Sequence, residues 1–204
     1  MQDEICDQLA DALWQALAQK PLSEITLQGL AQAHDIPYEE AVMALGDVTG
    51  GLLHKLARLD REALATSLRD FADDPQASIY EKLLEGLMMR FEMLAPHRAQ
   101  FEALHVAAKT APALAAHLLH QLSDTVGKLL VLAGDDSTGF LKQARIIGVV
   151  GVLLRVRPVW IQDDGRDLGL TLKKLDDDLK RACEWAVSLR VLSEADVKGG
   201  HSDE

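Results

Sequence analysis

Between Pro21 and His54 the chain has no lysine and no arginine. The shortage covers the whole opening segment, where residues 1 to 60 hold Lys20, Lys55 and Arg58 against Asp3, Glu4, Asp7, Asp11, Glu24, Asp35, Glu39, Glu40, Asp47 and Asp60, a net of −7. Such a surface repels a polyanion, because nucleic-acid affinity rests on cations that displace condensed counterions. Over all 204 residues the balance is 21 Lys and Arg against 32 Asp and Glu, a net charge of −11. That average disfavours nucleic acid and anionic membranes except where basic groups cluster. One modest cluster is present, Lys142, Arg145, Arg155 and Arg157.

Cysteine is scarce too. Cys6 and Cys183 sit near opposite ends of the chain in helical patterns, and are read as free, buried thiols in preference to a disulfide or metal pair. No apolar run approaches the ~18 to 20 residues that span a bilayer, and the richest, Ile146 to Leu154, is flanked by Arg145 and Arg155. Asp3, Glu4 and Asp7 stand where a signal peptide needs basic residues and an apolar run. A soluble, cytoplasmic protein is expected. Gly-rich phosphate loops, nucleophile elbows and paired catalytic carboxylates in a strand-to-helix context are missing. His117 and His120 are read as partly exposed or pocket-lining histidines rather than metal ligands. Neither an enzyme nor a bound cofactor or metal is expected.

What is present is apolar periodicity. Hydrophobic residues make up 48% of the chain, enough for a core and too much for a disordered chain. The period is helical almost throughout, which predicts an all-α protein of about nine helices. A head over residues 1–49 begins with a helix from about Asp3 to Lys20, apolar at Ile5, Leu9, Ala12, Leu13, Ala16 and Leu17 and ended by Pro21. A helix-turn-helix follows: Thr26 as N-cap, Leu27, Leu30 and Ala31 at helical spacing, a turn over His34 to Pro37, and a second helix from Tyr38 to Leu45. Ile25, Leu27, Leu30, Ile36, Val42 and Leu45 are expected to pack these three helices together. Gly46, Gly50 and Gly51 are expected to break the chain before a connecting helix, about Leu52 to Phe71, in a segment 50–75 closed by Asp73-Asp74-Pro75.

The body, residues 76–192, opens on Ser78 and Glu81 at the spacing of a capping box. Further helices are predicted from Ser78 to Leu94, His97 to Lys109, Pro112 to Leu132, Thr138 to Trp160 and about Asp167 to Leu192, with Gly134 as a C-terminal stop and Thr138 as a cap. The polar tail 193–204 is predicted to be disordered.

In their order and lengths these helices resemble the TetR family of one-component bacterial regulators over nearly the whole chain. The resemblance implies a homodimer, formed by the last two helices of each protomer, and a body that encloses a small ligand. A more pointed likeness lies inside it. Ala133-Gly134-Asp135-Asp136-Ser137-Thr138, then Lys142 and Arg145, then Trp160-Ile161-Gln162-Asp163-Asp164 and Leu172 to Leu175 are similar to the carboxyl half of the lipid-binding accessory proteins of ubiquinone biosynthesis. Those proteins share the TetR-like fold, carry isoprenoid lipids and assist a hydroxylase. Gly139-Phe140-Leu141 replaces the Asn-Trp-Tyr expected there.

Against the regulator pattern, Val42 stands where an aromatic residue and Thr49 where a lysine would touch the phosphate backbone. Shifted by one turn, Tyr38 takes the aromatic place. Glu39 and Glu40 occupy the reading helix where Arg, Lys, Asn or Gln would face bases. Purely structural accounts also exist: Gly134 ending a helix, Asp135, Asp136, Ser137 or Thr138 capping the next, Trp160 packing, and Asp163-Asp164-Gly165 as a solvated turn.

The resulting expectation is a non-enzymatic protein that binds a hydrophobic small molecule or lipid and has lost DNA binding. Leu84, Leu87, Met88, Phe91, Leu118, Leu122, Ile147, Val150 and Trp160 are the expected pocket. Ile146, Val149, Leu153, Leu172, Leu175 and Leu179 are the expected dimer interface. The alternative is a ligand-responsive repressor that touches DNA through Thr26, Pro37, Tyr38 and Thr49.

Overall fold

A computed structural model describes residues 2–188, and the side chains of 2–184. The described residues form nine α-helices and no strand: α1 Gln2–Leu17, α2 Leu27–Ala33, α3 Tyr38–Leu45, α4 Val48–Asp73, α5 Ile79–Leu94, α6 Arg98–Thr110, α7 Pro112–Leu132, α8 Gly139–Gln162 and α9 Gly169–Ser188. The all-α expectation holds. The predicted tail and the far end of the last helix lie outside the described residues.

Leu9, Leu13, Trp14 and Leu17 recur at threes and fours on α1 and are buried, so one stripe of that helix faces the core. It packs against α2, α3 and α6. The helix-turn-helix forms as its caps dictate. Thr26 Oγ1 accepts the Gly29 N–H at 3.1 Å and starts α2. The helix ends on Asp35 at φ +54°, with the Asp35 and Ile36 N–H groups returning to the Gln32 and Ala31 carbonyls at 3.4 and 3.0 Å, the paired bonds of a Schellman stop. On α3, Ala41 and Leu45 face inward. Val42, expected in the head core, is exposed instead, because Ala41 and Leu45 already fill the inward stripe.

The glycines after α3 act differently from the expectation. Gly46, at φ +72°, does end α3. Gly50 and Gly51, however, lie inside the first turn of α4, which starts at Val48, with Asp47 Oδ1 accepting the Gly50 N–H at 2.7 Å. A Cβ on Gly50 would stand 2.1 Å from the Leu45 carbonyl oxygen. Close approach of α4 to the end of α3, not a break, is what this glycine supplies.

The helices gather into two compact units that are not contiguous in sequence: Met1–Arg61 with Leu94–Gln121, and Glu62–Met93 with the described residues from Leu122 onward. The division falls within α4 and α7. In the first unit α6 joins the helix-turn-helix because Trp14 meets His97 and Phe101 edge-on, with ring centroids 5.8 and 5.7 Å apart. In the second unit α5 begins on a complete capping box: the Ser78 N–H donates to Glu81 Oε2 at 2.8 Å and the Glu81 N–H to Ser78 Oγ at 3.2 Å. Helices α8 and α9 pack on each other through buried residues that include Val152, Val156, Leu175 and Leu179.

The Gly50 contact sets a first test. Gly50→Ala must push two backbone segments apart and is expected to destabilise the protein by about 1–3 kcal/mol, read as a lower midpoint in urea unfolding. An unchanged midpoint would mean that α4 can start elsewhere at no cost.

Candidate functional site

In the second unit, α7 and α8 approach closely at Gly127, where an added Cβ would stand 3.2 Å from Ile146 Cδ1. Beside that approach lies an open groove of about 560 Å³. Its apolar lining is Leu64 of α4 with Val131, Leu132 and Ile146, and Lys128, Lys142, Ser123 and Asp124 supply its polar groups. Its surface is mostly apolar with a few polar groups at the edge. Lys128 and Lys142 set two ammonium groups against the one carboxylate of Asp124.

None of the nine expected pocket residues lines this groove. Leu87, Met88, Phe91, Val150 and Trp160 are buried in the second unit and Leu84 and Leu122 half-buried there, whereas Leu118 is half-buried in the first. Ile147 points outward at 62% exposure. Phe91 and Trp160 are brought together, with ring centroids 5.5 Å apart, and the Trp160 indole N–H donates to the Phe91 carbonyl at 3.1 Å. Trp160 therefore ties α8 to α5 as a core residue. Of the groove's lining, the sequence pattern singled out only Lys142, as part of the basic cluster, and Ile146, as a dimer residue.

The dimer residues divide in a similar way. Ile146, Val149, Leu153, Leu175 and Leu179 are buried within the protomer, Ile146 also lines the groove, and Leu172 is exposed. The large apolar side chains that α8 leaves outside are Phe140 at 81% exposure, Leu141, Ile147 and Leu154, and Phe140, Ile147 and Leu154 are spaced seven apart. Among the described residues no helix is long and apolar enough to cross a membrane. His117 and His120 lie exposed on α7.

The segment behind the lipid-protein resemblance has a structural job. Gly134 takes φ +96°, and the Gly134 and Asp135 N–H groups close α7 on the Val131 and Leu130 carbonyls at 3.1 and 2.9 Å. Buried Asp135 accepts from the Ser137 N–H at 2.9 Å and from Arg145 Nη1 at 2.5 Å. Thr138 occupies the cap position of α8 without a side-chain bond to it, because Asp135 already organises the turn. Asp163 corrects the solvated-turn expectation: it is buried, and its Oδ2 accepts from the Thr171 N–H and hydroxyl, both at 2.8 Å. It caps α9 from eight residues upstream, while Asp164 stays exposed.

In the first unit the four residues of the DNA alternative lie around the helix-turn-helix. Thr26, Pro37 and Tyr38 are exposed, and Thr49 is half-buried in the first turn of α4. Two cations of this unit are held by α1 carboxylates. Lys55 Nζ is 2.7 Å from Asp11 Oδ1, and Arg58 Nη1 is 3.1 Å from Asp7 Oδ1 and 3.3 Å from Asp11 Oδ1. His54 Nε2 lies 2.6 Å from Asp7 Oδ1. No protein-family model and no curated protein matches this chain.

The His54 hydrogen bond, aided by the Arg58 charge, holds the Asp7 carboxyl below the usual aspartate range. A carboxyl lowered in the folded state contributes stability above the ordinary value of about 3.9 and loses it as pH falls through the lowered value. Asp7 is half-exposed, so the contribution is below about 1 kcal/mol. Unfolding followed from about pH 7 down to about pH 3 should fall more steeply for the wild type than for Asp7→Asn; parallel acid limbs would show that the bond adds no stability.

Proposed function

We propose that this protein is a non-enzymatic binder of an amphipathic lipid, and that the groove between α4, α7 and α8 receives it. The observation that carries this reading is the apolar lining of the groove beside Lys128 and Lys142. An isoprenoid tail is the finer reading, supported by the resemblance of residues 133–138 and 160–164 to lipid-carrying accessory proteins. On this reading the head has lost DNA binding, since Lys55 and Arg58 are held by α1 carboxylates and Glu39 and Glu40 lie exposed on α3.

Binding of a fluorescent fatty acid, competed by farnesol, tests the site and the headgroup together. Val131→Trp, which fills the groove from an exposed position, should weaken both ligands by about tenfold or more, roughly 1.4 kcal/mol. Lys128→Glu with Lys142→Glu should weaken the fatty acid much more than the alcohol. Wild-type affinity in the Val131→Trp protein would remove the groove from consideration. Lipid found by native mass spectrometry of the purified protein would support the reading, and the uncharged isoprenoid alone surviving competition would shift it to a neutral headgroup.

Self-association belongs to the same proposal, through the outward stripe of Phe140, Ile147 and Leu154. An apolar row of this kind is seldom left bare on a stable monomer. Sedimentation should give a dimer that Ile147→Glu dissociates; a wild-type monomer of about 22 kDa at micromolar concentration contradicts it.

The preserved helix-turn-helix geometry, with Thr26 capping α2, favours one second reading, a ligand-responsive repressor. A salt-sensitive gel shift with fragments of the protein's own promoter would establish it in place of the first.

A further inference from the structure

The outward face of α3 carries a methionine one turn after two glutamates. Met43 is 74% exposed, the most open large apolar side chain of the first unit's helix-turn-helix, with Val42 and Tyr38 also in solvent. Glu39 is four residues and Glu40 three residues before Met43, so both are its neighbours on the helix surface, and both are exposed. Asp35 in the preceding turn and Asp47 after the helix are also exposed, so residues 35–47 carry four carboxylates and no lysine or arginine. The fold does not call for this arrangement: Ala41 and Leu45 supply the buried contacts of α3, and a polar side chain at 43 would serve solubility better. An exposed methionine is an adaptable, polarisable contact, and acidic groups around it select the sign of whatever meets it.

We propose that this face of α3 docks a basic amphipathic segment of a partner protein, with an apolar side chain set on Met43 and Val42 and lysines or arginines facing Glu39, Glu40 and Asp35. DNA and anionic membranes share the sign of these carboxylates and are repelled. A second copy of the chain would bring glutamates against glutamates. A basic helix or strand is complementary in both respects, and helix-on-helix docking of this kind uses short apolar anchors with charged flanks.

A fluorescein-labelled leucine-lysine amphipathic helix is the probe, titrated with the full chain at near-physiological salt and read by anisotropy, with amide shifts locating the contact. Binding should centre on α3, and Met43→Ser and the pair Glu39→Gln with Glu40→Gln should each weaken it by about tenfold. Circular dichroism should be unchanged, because all three side chains are exposed. Asp73→Asn with Asp74→Asn removes equal charge at another exposed site and should leave affinity within about twofold. Equal loss in that control, shifts elsewhere than α3, or absence of binding overturns the proposal. So does stronger binding of phosphatidylglycerol vesicles or duplex DNA to the same face.

Discussion

Asp7 and Asp11 on α1 hold Lys55 and Arg58 on α4, and the character of the helix-turn-helix unit depends on that clamp. Ion pairs this exposed add little stability. Their weight is electrostatic: of the three Lys and Arg in the first 60 residues, two are neutralised at short range by carboxylates of the neighbouring helix. The inward stripes of α1, α2 and α3 hold the helix-turn-helix together, because Leu9, Leu13, Leu27, Leu30 and Leu45 are buried and burial does not depend on what the outer surface meets. The shape is held by apolar packing, whereas the sign of the surface is set by a handful of exposed charges.

In the second unit, buried carboxylates are each answered locally. Asp135 has Arg145 and the Ser137 N–H on Oδ1, while its Oδ2 is buried without a hydrogen bond; Asp163 has Thr171 and the Gly165 N–H, and Asp178 has Lys174 at 2.9 Å with Arg155 and Arg181 at 3.4 and 3.8 Å. A carboxylate taken out of water without such partners would cost several kcal/mol, roughly, and would protonate instead. The same need operates between α9 and α5, where Tyr80 donates to Asp176 Oδ1 at 2.6 Å. Lys180 and that hydroxyl hold the Asp176 carboxyl below its ordinary range, while burial raises Tyr80. These requirements explain why Asp135 and Asp163 stand where they do whether or not a lipid is bound. The turn residues behind the resemblance are also the residues that close α7, start α8 and cap α9.

Signals confined to a few neighbouring residues were legible. Thr26, Ser78 with Glu81, and Gly134 each satisfy backbone groups three to five positions away, so local pattern contains the whole interaction. Gly50 was misread because its constraint, the Leu45 carbonyl, belongs to the preceding helix's end, and a glycine near a break looks the same as a glycine at a close approach. Asp163 was misread because its partner Thr171 lies across a turn whose path depends on Leu168 at φ +48°. The grouping of α6 with the helix-turn-helix rests on Trp14, a contact between segments more than eighty residues apart.

The sequence of α8 does not by itself sort its apolar residues between interior and surface. Its apolar residues recur on almost every side, with Val149, Val152, Val156 and Trp160 buried and Phe140, Ile147 and Leu154 exposed. A helix apolar all round contains no periodic instruction about which stripe meets α9, which meets the interior and which stays outside. Packing decides instead, and it decides by fit: Trp160 is buried beside Phe91, with ring centroids 5.5 Å apart. The open volume appears where side chains are small, beside Gly127, and the lysines that edge it lie on α7 and α8 rather than on the apolar stripes. Where a core is completed by its own aromatics, a tail-binding site must be sought at the places glycine leaves open, and its headgroup chemistry at the charges around them.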